Sequence, residues 1–259
     1  MATPEGSRSP SVELVSYIRT APAPFNRPGD FIIRTAQDTR YHVTLAILSF
    51  ASSYFRDLPD IERNEDNEVV LAVPESDAVV ETLLRLIYPM PDPVFCDLDD
   101  LTDAYVAAKK YKLDSATQSL QKMLIRFVES DPLRVYALAR RFDLDEEANI
   151  AARRACLSAT QAWPQCEEFN HISAAQYHDL LQFHKRRGQA AAHLVKIKPL
   201  CEPCWVCGKK WSKPWKKCAA RLLVEAPSSE RMFTPDLLGE LALDPSPEWL
   251  PYAAQGLLC

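Results

Sequence analysis

Residues 29–35 read GDFIIRT, and residues 40–57, after a short polar turn, read RYHVTLAILSFASSYFRD. Phe31, Ile32 and Ile33 form an aromatic and β-branched run, Gln37 and Asp38 supply turn residues, and Tyr41 to Val43 returns; this pattern predicts a β-hairpin. From Thr44 the period changes. Leu45, Leu48, Ser49 and Ser52, with Ile47, Phe50, Ala51 and Tyr54 in parallel, follow helical rather than alternating spacing.

Working outward, residues 1–28 contain the proline cluster APAPFNRP, which predicts a mobile tail, with Val12 to Ile18 as its one apolar stretch. Downstream, DLPDIERNEDNE reads as a solvated acidic loop, and Val69 to Val73 as a buried strand stopped by Pro74. Val79, Leu83 and Ile87 beside Val80, Leu84 and Tyr88 make the broad apolar stripe of a helix ending at Pro89. Two amphipathic helices follow, one carrying Leu101, Ala104, Tyr105, Ala108 and Tyr111 and the other Ala116, Leu120, Met123, Leu124, Phe127 and Val128. Asp131 before Pro132 predicts a capped helix through Phe142, and Asp143 with Glu146 restarts a helix of small residues to about Ala159. Ser173 with Gln176, flanked by Ile172 and Tyr177, predicts a capping box opening a long helix that bends near Gly188.

The balance of 47% hydrophobic and 25% charged residues over 259 positions suits one extended or two small globular domains. The N-terminus has neither an apolar core nor a cleavage pattern, and no apolar run is long enough to span a membrane, so the expected address is intracellular, cytoplasm or nucleus. The six glycines are scattered, which excludes phosphate-binding G-x-x-x-x-G-K-[ST] and G-x-G-x-x-G loops; H-E-x-x-H and G-x-S-x-G are also absent. No catalytic residue is nominated, and a non-enzymatic role is expected. Cys156, on a face with Ala148, Ala151, Ala152 and Ala155, reads as a small buried hydrophobe, and His184, beside Tyr177, Leu180 and Leu181, as a core histidine.

Asp30 ahead of the first strand, AILSFASSYFRD from Ala46 and LLRLIYP from Leu83, in the order strand, hairpin, helices, strand, helix, helix pair, resemble a BTB/POZ domain. With SDAVVETLLRLIYP, DPLRVYALARRFDL and ISAAQYHDLLQFHKRRG, the whole is similar to the BTB proteins abundant in fungal genomes, of basidiomycete type. The resemblance implies an α+β class, a small sheet flanked by a helical cluster, followed by an all-helical extension. It divides the chain into a flexible tail (1–28), a BTB/POZ domain (29–130), a helical extension (131–196) and a Cys/Trp/Lys-rich segment with a C-terminal tail (197–259).

Such domains associate through their first helix, so the resemblance implies Ala46, Ile47, Phe50 and Tyr54 as a homodimer face; the competing reading of these residues is intradomain core. Thr44 and Leu45 stand where the family commonly has a His-Lys pair, so recruitment of transcriptional corepressors through an Asp30 pocket is not implied. Cullin-binding members carry an apolar residue, any residue, then glutamate after this helix; here Leu58-Pro59-Asp60 keeps the charge on a shorter side chain and stiffens the backbone. A cullin is thus a candidate partner, with the chain as a ubiquitin-ligase adaptor.

Cys201, Cys204, Cys207 and Cys218 put four soft ligands within eighteen positions, as tetrahedral zinc requires, with His193 able to replace one thiol. The alternative is reduced cysteines packed among Trp205, Trp211 and Trp215. The same region holds eleven lysines and arginines from Lys185 to Arg221 against Glu202, which could track a phosphate backbone while tryptophans stack bases. The formal charge of −5 on the whole chain disfavours nucleic acid as partner, and anchoring to the acidic 57–68 run uses the same charge equally well. Two functions follow: a BTB-mediated oligomerisation or partner-recruitment module, or a zinc-stabilised nucleic-acid-binding regulator. A short helix from Thr234 and Pro235 to Leu241 is expected near the end.

Overall fold

The computed structural model describes residues 19–58, 68–197 and 212–228. The chain forms two compact units, residues 1–122 and 123–259.

In the first unit, β2 (Phe31–Arg34) and β3 (Thr39–Val43) are the hairpin read from sequence, antiparallel with Phe31 opposite Val43 and Ile33 opposite Tyr41. Asp38 closes the turn at φ 60°, a conformation its short polar side chain tolerates. Phe31, Ile32 and Ile33 are all buried, because β2 is central and covered on both faces. The sheet has the order β1-β3-β2-β4, with β1 (Arg19–Thr20) parallel to β3 and β4 (Val70–Ala72) parallel to β2. Two expectations change here. Residues 19–28 belong to the folded unit rather than to a tail: β1 pairs with β3, the carbonyl of Phe25 accepts from the amide of His42 at 2.9 Å, and the buried Phe25 ring meets Tyr41 and Tyr88. Proline prevents regular structure, yet one aromatic ring anchors the segment. The strand expected to be buried is an edge strand, with Val70 and Leu71 half-buried and Ala72 exposed.

The helices of this unit are α1 (Leu45–Ala51), α2 (Ser53–Arg56), α3 (Asp77–Ile87), α4 (Leu98–Lys110) and α5 (Asp114–Leu124), which runs on past the boundary of the unit. The predicted stripe of α3 is buried at Val79, Val80, Leu83 and Leu84, and Ser76 caps it by accepting from the amide of Val79. Its first residue, Asp77, accepts from the hydroxyls of Thr35 and Thr39, the latter at 2.7 Å, and its amide donates to Gln37 at 3.0 Å. The hairpin turn is thereby tied to the positive end of α3. Burial, then the nearby charges of Asp77 and Glu81, push the Tyr41 phenol up to about 12. Glu75 receives Lys110 at 2.6 Å and the Tyr111 hydroxyl, whose proton burial and this carboxylate hold well above the usual range.

In the second unit, a 3₁₀ turn (Ile125–Phe127) precedes α6 (Pro132–Arg141) and α7 (Asp145–Ala155). Pro132 opens α6 as expected, but the Asp131 side chain makes no capping bond, and Asp143, at φ 60°, belongs to the turn rather than to the start of α7. Helices α6 and α7 pack through small side chains: Ala137, Ala139, Ala148, Ala151, Ala152, Ala155 and Cys156 are all buried. Burial pushes the Cys156 thiol up to about 11. Short 3₁₀ turns (Thr160–Ala162 and Glu167–His171) lead to α8 (Ala174–Ile197). The capping box forms as read: Gln176 donates its amide to Ser173 Oγ at 3.1 Å, and Ser173 donates its own to Gln176 Oε1 at 2.8 Å. His184 is buried, with Nε2 3.1 Å from the carbonyl of Ser158 and the ring edge-on to Trp163.

Helix α8 continues through Gly188 without the expected break. A Cβ there would lie 2.7 Å from the Val224 carbonyl and 2.9 Å from that of Leu223, both on α9 (Ser212–Glu225). The glycine permits close helix approach rather than a bend. Ala192, Val195, Trp215, Ala219, Ala220 and Leu223 form the core of this antiparallel pair. The sequence division between residues 196 and 197 therefore falls inside one helical hairpin.

Candidate protein-interaction surface

Helix α1 has seven residues and is tied at both ends to other parts of its unit, at its start by the side chains of Asp30 and Tyr88 and at its end through its own cap, Ser52. At its start, Asp30 Oδ1 accepts from the amide of Leu45 at 2.8 Å, and the Tyr88 hydroxyl accepts from that of Thr44 at 2.9 Å. Two amide donors that a helix start leaves open are thus satisfied. At its end, Ser52 donates its amide to Leu48, accepts at Oγ from the amide of Tyr54, and donates its hydroxyl to the carbonyl of Tyr111. Between these anchors only Leu48, fully buried, points inward.

The other side of α1 faces out. Ala46 is exposed, Ile47 is 37% exposed and Phe50 is 91% exposed, although transfer free energy favours burying both large side chains. Tyr54 is different: half-buried, it meets Phe55 and Tyr111 edge-on at ring-centroid distances of 5.3 and 5.1 Å. The four residues nominated together from sequence therefore divide into three on the surface and one in an aromatic cluster under α2. Spacing alone could not separate them, because α1 ends at Ser52 and a new helix starts with a different rotation.

The remaining candidates are placed as follows. Leu58 is half-buried after α2, while Pro59 and Asp60 lie outside the described residues. Of the four cysteines, Cys218 is half-buried on α9, and Cys201, Cys204 and Cys207 lie outside the described residues, as do Trp205, Trp211 and the helix expected from Thr234. Among the described residues there is no group of three or more His, Cys, Asp or Glu side chains placed to hold a metal. Trp215 is completely buried and has no face free for a base. A shallow groove of about 340 Å³, lined by Ser76, Glu81, Arg85, Val94, Phe95 and Asp103, went unnoticed in the sequence because it joins residues of α3, α4 and the loop between them. None of the described helices is long and apolar enough to cross a membrane.

The described residues of the first unit thus form a small mixed sheet with helices, one of which is anchored and shows an aliphatic and an aromatic side chain to solvent. Residues 26–127 match the family model of the BTB/POZ domain. The fold is accordingly α+β, a BTB/POZ domain with a helical part after it. BTB/POZ domains are non-enzymatic modules that mediate protein–protein interactions. No curated protein matches the chain.

Proposed function

We propose that this chain is a non-enzymatic interaction protein whose BTB/POZ domain pairs with a second copy of itself through α1. The observation that carries the reading is Phe50, 91% exposed beside Ile47 on a helix fixed at both ends. Covering the Phe50 side chain would contribute about 2 to 3 kcal/mol per copy. Its setting is already ordered, so little conformational entropy opposes the contact. Phe50→Asp tests the reading: light scattering is expected to give a dimer for the unaltered protein and a monomer for the variant, with the same far-ultraviolet circular dichroism. A monomer for both at micromolar concentration would refute self-association.

The finer role as a ubiquitin-ligase adaptor is supported by the position of Leu58, directly after α2 and only half-buried. Calorimetric titration with the N-terminal domain of a cullin is expected to give saturable heat that Leu58→Ala abolishes; absence of heat would leave a scaffold without a ligase role. The likeness to fungal, basidiomycete-type proteins rests on sequence pattern alone.

A further inference from the structure

Over residues 180–224 the chain has eleven lysines and arginines against the single Glu202, while the whole chain carries −5, so everything outside this stretch carries −15. The described part of the stretch is the hairpin of α8 and α9. Lys185, Gln189, His193 and Lys196 recur at intervals of four, four and three, which is one face of α8, and all four are exposed. Lys217 and Arg221, one turn apart on α9, are exposed as well. Because Gly188 abuts Val224 and the helices run antiparallel, Lys185 and Arg221 both lie within a turn of that contact, and Lys217 sits level with Lys196. The rise of α8 spreads Lys185 and Lys196 over about 16 Å.

What sets these cations apart is their clustering on two packed helices, since scattered cations such as Lys112, Lys122 and Arg126 also pair with no carboxylate among the described residues. Arg34, Arg40, Arg85, Lys110, Arg134, Arg140 and Arg154 each have a carboxylate within 4 Å. Lys185, Arg186, Lys196, Lys217 and Arg221 pair with no carboxylate among the described residues; Arg221 only approaches the Cys218 sulfur, at 4.0 Å. Asp179 and Glu225, just outside this stretch, are the acidic residues of the same two helices and are outnumbered by the cations. Clustered cations in such excess repel one another, so the hairpin bears an electrostatic cost that an anion would relieve.

We propose that this basic face of the α8–α9 hairpin is a docking surface for an acidic, partly aliphatic protein segment. Three observations favour such a segment over nucleic acid. Trp215, the described tryptophan of the region, is fully buried, so it offers no platform for bases. The exposed aliphatic residues near the cations in sequence are Leu194, 54% exposed, and Val224, 45% exposed, which suit an aliphatic side chain. The face extends about 16 Å, the length of roughly five extended residues, which suits a short segment rather than a long polyanion. The proposal goes beyond self-association through α1 and does not depend on it.

The test uses the full chain and a fluorescein-labelled decapeptide of glutamate, aspartate and leucine, read by fluorescence anisotropy. The unaltered protein and a control reversal, Lys122→Glu, are expected to bind the peptide. A fourfold reversal (Lys185→Glu, Lys196→Glu, Lys217→Glu, Arg221→Glu) is expected to weaken binding by about tenfold or more, with the contrast shrinking as salt screens the charges. A lysine-leucine decapeptide is expected to bind the fourfold variant instead, which shows that the variant is folded and its face inverted. Equal binding of the acidic peptide by all three proteins would overturn the proposal. So would displacement of the peptide by a single-stranded oligonucleotide of equal charge at lower concentration, which would make the face a phosphate-binding surface. Light scattering on the same samples reads the α1 contact separately.

Discussion

Replacing Gly188 with alanine sets two effects of opposite sign against each other. In the interior of an exposed helix the change stabilises by about 1 kcal/mol, because glycine is the poorer helix former. Here the added Cβ would stand 2.7 and 2.9 Å from two carbonyl oxygens and 3.1 Å from the Cα of Val224, all backbone atoms, where ordinary contact begins near 3.4 Å. Backbone cannot rotate aside as a side chain does, so α9 must move outward by about half an ångström or more, loosening the packing of Trp215, Ala219 and Leu223. Overpacking of this kind costs about 1 to 3 kcal/mol. Where the strain approaches its upper range, the net is a destabilisation of about 1 to 2 kcal/mol confined to the helical hairpin. Hydrogen exchange is the assay of choice, because it resolves local opening where a single unfolding midpoint would merge two units. Amides of α9 are expected to exchange about tenfold faster in the variant, with those of β2 and β3 unchanged. Slower exchange in α9, or a higher melting temperature, would show that helix propensity wins and that close approach is not the reason for this glycine.

Gly29→Ala should be worse, since its Cβ would fall 2.4 Å from the carbonyl oxygen of Val43; we expect a loss of about 3 kcal/mol in urea unfolding followed by tyrosine and tryptophan fluorescence. Ser52→Ala removes both the cap on α2 and the bond to Tyr111, and about 2 kcal/mol of stability should go with them, read as an earlier urea midpoint. The Cys156 thiol, raised from 9.0 to about 11, binds its proton more tightly in the folded chain than in the unfolded one. Its contribution is therefore complete below pH 9 and lost as pH rises through 11, so Cys156→Ala should flatten the fall of thermal stability across that window. In the native protein at pH 8, iodoacetamide should label the exposed Cys96 and leave Cys156 intact until the chain is unfolded.

The local signals of this chain were strong wherever one element could be read by itself. The alternation of Phe31 to Val43, the stripe of α3 and the Ser173–Gln176 box all reflect interactions between residues close in sequence, and each formed as read; the helical period from Leu45 formed as far as Ala51 and was reset at Ser52. Where a residue's role depended on a distant partner, the sequence misled. Phe25 sits among prolines but is fixed by Tyr41 and Tyr88; Asp30 caps a helix fifteen residues away; Gly188 looks like a helix breaker but makes room for α9.

By itself, then, the sequence determined most of the secondary elements, because backbone preference and hydrophobic period act over a few residues, while the α+β class came from the resemblance to a BTB/POZ domain and β1 escaped notice. Only tertiary structure decided that Tyr54 belongs to an aromatic cluster while Phe50 stands in solvent, although helical spacing treats them alike. Only tertiary structure decided, too, that α8 and α9, separated in sequence, pack together and bring Lys185, Lys196, Lys217 and Arg221 onto one helical hairpin. Burial and charge pairing are set by what the rest of the chain brings near, and that information lies in no single segment.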